Sequence, residues 1–198
     1  MTAGTRLVVG ISGASGAIYG VRLLELLRPL DVETHLVMSR TAGITVAHEL
    51  GLKPDEVRAL ADVWHDNEDL AAPIASGSFR AGGMIVAPCS MRSLAEIANG
   101  TAASLLTRAA DVTLKERGRL VLMARETPLH LGHLRNMVAA TEMGAIICPP
   151  VPAFYARPQT IDEMVDHTLV RVLDLFGLDA KPIRRWEGMG KPRPARRR

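Results

Sequence analysis

The sequence predicts an α/β fold built on a parallel sheet, and two observations carry that reading. Short continuous apolar runs, of the kind that a parallel sheet buries on both faces, alternate with stretches whose apolar residues recur at helical spacing. Small and hydroxyl-bearing residues stand where a run gives way to a helix, which is where an open α/β sheet gathers its ligands.

The first such place is Gly10-Ile11-Ser12-Gly13-Ala14-Ser15-Gly16-Ala17-Ile18-Tyr19-Gly20, after the strand Leu7-Val8-Val9 and before the helical pattern Val21, Leu23, Leu24, Leu27. Three glycines let the backbone approach a ligand. Free N–H groups at a helix starting near Ala14 or Ser15 favour a phosphate. The absence of a Gly-Lys-[Ser/Thr] ending argues against a Walker-type loop, and Gly-x-x-Gly-x-x-Gly is not the dinucleotide spacing. A mononucleotide such as FMN suits it. The plainer alternative is that the glycines only pack the first helix on the sheet.

A second strand follows over 32–38, with Ser39 placed to cap a helix over 41–50 or to offer a hydroxyl to a ligand. The spacing predicts a short helix over 54–61 and an irregular polar stretch over 62–72, in which nothing marks His65 as a ligand. The hydroxyl-rich segment 73–79 reads as a loop. Gly83-Met84-Ile85-Val86-Ala87-Pro88-Cys89 is a strand buried on both faces, and Ser90-Met91-Arg92-Ser93 opens the next helix as a second junction able to grip the same ligand. A long helix is expected over 101–117, with Arg108, Asp111 and Lys115 near one face, where a solvated salt-bridged surface is the ordinary role. The strand 120–124 delivers Arg125 and Glu126, a cation and a carboxylate at a strand end. The helix 130–143 carries His130-x-x-His133, without a third residue to complete a zinc site. A strand over 145–148 stops at Pro149 and Pro150 and presents Phe154 and Tyr155; the final helix, 160–176, has Arg171 at the edge of its apolar stripe.

Length and composition set bounds on this picture. A chain of 198 residues, 47% hydrophobic, suffices for one domain with a sheet several strands wide. No run approaches the roughly 20 apolar residues that cross a bilayer, and no signal pattern opens the chain, so a cytoplasmic protein is expected. Cys89 and Cys148 lie far apart without metal spacing and read as reduced, partly buried thiols. The net charge of +3 is misleading, because seven cations and one acid fall from Arg184 onward. The expected organisation is a single domain over 1–183 and a basic, disordered tail over 184–198.

Five motifs in order resemble one family. The glycine turn 10–20, Pro88-Cys89-Ser90-Met91, Arg108-Ala109-Ala110-Asp111-Val112-Thr113-Leu114-Lys115-Glu116-Arg117, Arg125-Glu126-Thr127-Pro128-Leu129 and Pro152-Ala153-Phe154-Tyr155 are together similar to the UbiX-type flavin prenyltransferases. The resemblance spans about 7–178 and implies a flavodoxin-like Rossmann subunit, a doubly wound parallel sheet flanked by helices, in a homododecamer with FMN at subunit contacts. It implies metal-independent transfer of a dimethylallyl group from dimethylallyl phosphate to N5 and C6 of reduced FMN, the prenylated FMN serving a UbiD-type decarboxylase. Carried over by motif, Gly13, Ala14, Ser15, Ser39, Ser90, Met91, Arg92, Ser93 and Arg125 would contact FMN. Tyr155, Arg171 and Lys115 would hold the dimethylallyl phosphate, and Ser15, Arg108, Lys115 and Glu126 would be catalytic.

Those residue types suit the chemistry. Releasing phosphate from an allylic C–O bond calls for cations on the leaving group, and loss of the C6 proton calls for a carboxylate such as Glu126, with the Ser15 hydroxyl as a relay. The chain departs from the family pattern at Ala102-Ala103-Ser104, at Arg135 and at Leu70, which implies a changed pocket shape. The competing expectations are an FMN-dependent decarboxylase of the peptidyl-cysteine type, whose early catalytic His and Pro-x-Met-Asn segment are missing here, and a non-catalytic flavin carrier, which would not need so many cations.

Overall fold

The computed structural model describes residues 5–186 and Gly188. Six strands, β1 (Thr5–Ile11), β2 (Val32–Met38), β3 (Val63–His65), β4 (Gly83–Cys89), β5 (Arg119–Ala124) and β6 (Ile146–Ile147), form one sheet in the order β3-β2-β1-β4-β5-β6. Every pairing is parallel. The described helices are α1 (Ala17–Leu27), α2 (Arg40–Leu50), α3 (Pro54–Arg58), α4 (Met91–Ala98), α5 (Leu105–Lys115), α6 (Leu131–Glu142) and α7 (Ile161–Asp174). This is a doubly wound, flavodoxin-like Rossmann sheet whose strand order reverses between β1 and β4.

The two-residue period of each strand divides the core into two layers. Leu7, Val9, Ile11, Leu36, Ile85, Val121 and Met123 pack with Leu23, Leu24 and Leu27 of α1 and with Leu169, Val172 and Leu173 of α7. The intervening Val8, Val37, Met84, Val86, Leu120 and Leu122 pack with Leu94 of α4, Leu105 and Leu106 of α5 and Ala140 of α6. All seven residues of β4 are buried, as its uninterrupted apolar run requires.

The boundaries shift for local reasons. The helix after the glycine turn begins at Ala17, not near Ala14 or Ser15, because Gly16 takes a left-handed conformation, φ 94°, at its N-cap. The helix expected over 101–117 starts at Leu105, where the Ser104 side chain caps it, and the one expected over 54–61 ends at Arg58. The stretch 62–72, read as irregular, contains β3: the strand is three residues long, Trp64 on it is exposed, and only its pairing with β2 makes it one. No described helix is long and apolar enough to cross a membrane.

Of the segment 184–198, residue 187 and residues 189–198 lie outside the described residues. Arg184, Arg185 and Trp186 lie against the domain: the Arg184 carbonyl accepts from His167, Arg185 pairs with Asp174, and Trp186 meets Tyr155.

Candidate active site at the strand-order reversal

The ends of β2, β1, β4 and β5 are joined in series. Ser39 N–H donates to the Ile11 carbonyl at 3.0 Å, and Arg125 N–H donates to the Cys89 carbonyl at 3.0 Å. Between them Ser12, 1% exposed, joins the two junctions: its hydroxyl donates to the Pro88 carbonyl at 2.8 Å and accepts from Ser90 N–H at 2.7 Å. Ser12 N–H donates to the same Pro88 carbonyl at 3.2 Å, so one residue ties the two strand ends together and satisfies the Ser90 amide as well. Ser39, Ser12, Ser90 and Arg125 follow one another across the sheet edge as a result.

A cleft of about 450 Å³ opens over this edge, lined among others by Gly13, Ser39, Thr41, Ser90, Arg92 and Ser93. Ala103 and Ser104, two of the departures from the family pattern, also line it, whereas Leu70 stands exposed on the 66–72 stretch. Ser39 fills the capping role, its oxygen accepting from Ala42 N–H at 3.1 Å, and the residue also lines the cleft. Ser90 caps α4 in the same way, accepting from Ser93 N–H at 3.2 Å and donating to Ser93 Oγ at 3.1 Å. The N–H groups of Met91 and Arg92 have no acceptor among the described residues, so the positive end of α4 opens on the cleft. Hydroxyls, free amides and an arginine form a donor set that fits a phosphate-bearing mononucleotide such as FMN.

The α1 junction corrects the sequence reading in part. Two of its N–H groups are not free for a phosphate, because the Glu49 carboxylate accepts from Gly16 N–H and Ala17 N–H, both at 2.9 Å, while Gly13, Ala14, Ser15 and Ile18 N–H have no acceptor among the described residues. Burial pushes the Glu49 carboxyl up, but hydrogen bonds from the Ser15 hydroxyl and the Ala17 and Gly16 amides, with the charge of Arg125 nearby, outweigh it and hold the group below the ordinary carboxylate range. Glu49 thereby joins Ser15 and Arg125 in one cluster. Sequence reasoning missed it, although a signal existed: an acid in the last turn of α2 faces the negative end of its own helix, where it is unfavourable without a partner elsewhere.

The remaining candidates are distributed over the subunit. Glu126 follows Arg125 on the exposed loop after β5, with its carboxylate accepting from Thr127 N–H at 3.0 Å. Arg108, in the second turn of α5, bonds Asp111 at 2.6 Å and the Ala75 carbonyl at 3.2 Å. Lys115 ends the same helix, pairs with Glu116 and lies against Gly77, near the edge where β4 and β5 begin. It is a whole strand length from Glu126. Tyr155, in a short 3-10 turn (Phe154–Ala156), places its hydroxyl 3.4 Å from His167 Nε2, and Arg171 on α7 pairs with Asp174 at 2.5 Å. A single chain therefore brings Gly13, Ser39, Ser90 and Ser93 together with the Ser15–Glu49–Arg125 cluster beside them, and keeps Lys115, Tyr155 and Arg171 elsewhere.

Two other sequence candidates have structural roles. The His130 ring caps α6, accepting from Gly132 N–H at 3.0 Å, and stacks on His133 at 3.6 Å. Burial pushes the Cys89 thiol up to about 12, which leaves no thiolate for nucleophilic chemistry, and raises Cys148 against the opposing charge of Arg171.

An open parallel sheet with a polar, phosphate-fitting cleft at its reversal point defines a mononucleotide-binding class, and the Flavoprotein family profile matches residues 1–173. The flavin prenyltransferase UbiX of Neisseria meningitidis serogroup B is 58% identical over 184 residues, covering 93% of this chain and 97% of the relative. A crystal structure of AnUbiX (PadA1) in complex with FMN and dimethylallyl pyrophosphate superposes with a TM-score of 0.92 at 54% identity, covering 94% of this chain and 99% of that one. A dodecameric FMN-dependent UbiX-like decarboxylase from Escherichia coli O157:H7 gives a TM-score of 0.91 at 52% identity, covering 93% and 100%. The chain belongs to the UbiX flavin prenyltransferase family.

Proposed function

We propose that this protein transfers a dimethylallyl group from dimethylallyl phosphate to N5 and then C6 of reduced FMN, in the cytoplasm, and that the prenylated flavin passes to a UbiD-type decarboxylase. The observation that carries the reading is the cleft at the β1–β4 reversal, lined by Gly13, Ser39 and Ser90 and by Arg92 and Ser93 at the open end of α4. Gly13, Ala14, Ser39, Ser90, Met91, Arg92, Ser93 and Arg125 hold the FMN, whose reduced form supplies the nucleophilic atoms. Lys115, Arg171 and Arg108 neutralise the phosphate as the allylic C–O bond breaks, and Tyr155 donates a hydrogen bond to it.

Ser15 and Glu126 handle protons. The Ser15 hydroxyl lies beside the Glu49 carboxylate, whose pKa is held below the ordinary carboxylate range in part by that hydroxyl, and it can relay a proton at the mouth of the glycine turn. Glu126 lies on an exposed loop where its carboxylate can accept the proton lost on ring closure. Since Lys115 and Glu126 occupy opposite ends of one subunit, a site using both takes them from different copies, as in a homo-oligomer with sites at subunit contacts.

The test is anaerobic incubation of the purified protein with reduced FMN and dimethylallyl phosphate, followed by mass spectrometry of the released flavin. A gain of one C5H8 unit is expected, lost in Lys115→Ala and Glu126→Gln and partly restored when the two variant chains are co-assembled. Unmodified FMN from the unaltered protein would overturn the prenyl-transfer reading. Restoration failing while each variant still binds FMN would overturn the shared site.

A further inference from the structure

His167 lies on α7, 7% exposed, and its Nε2 faces two oxygens: the Arg184 carbonyl at 3.1 Å and the Tyr155 hydroxyl at 3.4 Å. A carbonyl oxygen can only accept, so the tautomer with a bare Nε2 would set lone pair against lone pair. Nε2 therefore carries the hydrogen and shares it between the two oxygens. The carbonyl is firmly placed, because its segment is tied to α7 on both sides: Lys181 pairs with Asp166 at 2.6 Å, and the Arg185 guanidinium grips both oxygens of Asp174 at 2.6 and 2.8 Å. The tyrosine ring is held as well, meeting His167 edge to face at 5.5 Å and Trp186 at 5.7 Å.

Tyr155 thus receives a hydrogen bond from His167, and its own O–H proton remains free. A phosphate oxygen offers lone pairs alone, so a phenol that donated to histidine would present lone pairs to the anion and repel it. We infer that His167 is a positioning residue for prenyl transfer: its Nε2–H, fixed by the Arg184 carbonyl, orients the Tyr155 hydroxyl to donate to the phosphate of the prenyl donor. This rests on the reading of Tyr155 as a ligand of that phosphate.

Steady-state kinetics against dimethylallyl phosphate test it with Tyr155→Phe, His167→Leu, His167→Gln and the Tyr155→Phe/His167→Leu pair. His167→Leu is expected to raise KM about five- to tenfold with kcat changed less than about twofold, the size of one lost orienting hydrogen bond. His167→Gln, whose amide can donate from nearly the same place, recovers most of that loss. In the Tyr155→Phe background, His167→Leu adds nothing further. If the melting temperature shows that leucine is not tolerated, His167→Met replaces it as the non-donating variant. Equal KM values for the donating and non-donating variants, or an undiminished His167→Leu effect without the phenol, would overturn the positioning role. An unchanged KM in Tyr155→Phe would instead remove Tyr155 from phosphate binding, and the inference with it.

Discussion

After β1 the chain turns through glycine and serine into α1, and after β4, which ends in Pro88 and Cys89, it turns through Ser90 into α4. In sequence the two junctions look alike. In the fold, the N-terminus of α1 already holds a carboxylate of the same chain on its Gly16 and Ala17 amides, while that of α4 holds no anion and keeps the Met91 and Arg92 amides without an acceptor among the described residues. A helix start already holding an internal anion has little attraction left for a phosphate, and one whose cap serine leaves amides free retains it. The glycine-rich turn is thus better fitted to close approach and to aiming Ser15, and the less conspicuous Ser90 turn to holding the phosphate.

The variant that would most directly break this comparison is Ser93→Asp. An acid in the first turn of a helix favours the helix itself, so the fold should be kept or slightly strengthened. The same charge would repel a phosphate seated at α4, and a loss of about 2–3 kcal/mol corresponds to about a hundredfold weaker binding. The expected outcome is a large rise in the FMN dissociation constant, read by flavin fluorescence quenching, with the melting temperature unchanged or higher. Unaltered FMN affinity would show that the phosphate lies elsewhere.

Ser12→Ala sharpens the comparison by cutting the bond between the junctions. It leaves the half-buried Ser90 amide without its partner, while the Pro88 carbonyl keeps the 3.2 Å bond from Ser12 N–H, at a cost of about 2 kcal/mol. For a chain of this length that lowers the melting temperature by about 4–8 °C. Because Ser90 also caps α4, FMN affinity should fall along with stability. A calorimetric scan within about 1 °C of the unaltered protein would mean that the two turns hold their places independently.

Much of this was legible in the sequence, and the failures have physical causes. The run at 83–89 has an apolar residue or proline at nearly every position, so its burial on both faces could be read directly. Ser39, Ser90 and Arg125 could be found because a strand end is recognisable from its own residues. Glu49 could not be placed so easily, since its partners are 32 and 33 residues away and only the topology of β1-α1-β2-α2 brings it back. The separation of Lys115 from Glu126 was hidden for the opposite reason. They are close in sequence, but β5 runs between them, and six residues of strand at about 3.3 Å each carry the chain to the other end of the subunit. β3 escaped notice because three residues with an exposed tryptophan show no usable period.

The smallest expected effect tests the closed side of the comparison. Glu49→Gln keeps an oxygen that can accept from both amides, which share one carboxylate oxygen, but removes the charge at the α1 terminus, so a loss of about 1 kcal/mol is expected at neutral pH. Its sign with pH follows from the lowered carboxyl. A group whose folded pKa lies below its unfolded value contributes fully above the unfolded value, about 4.3 for glutamate, and loses that contribution as pH falls through the folded one. The unaltered protein should therefore melt about 2–4 °C above Glu49→Gln at pH 7, and the gap should close under acid conditions as Glu49 is protonated. Melting curves of both proteins over a pH series measure this. A gap that stayed constant below pH 4 would show that the charge of Glu49 is not what closes α1, and the two junctions would then differ in shape rather than in electrostatics.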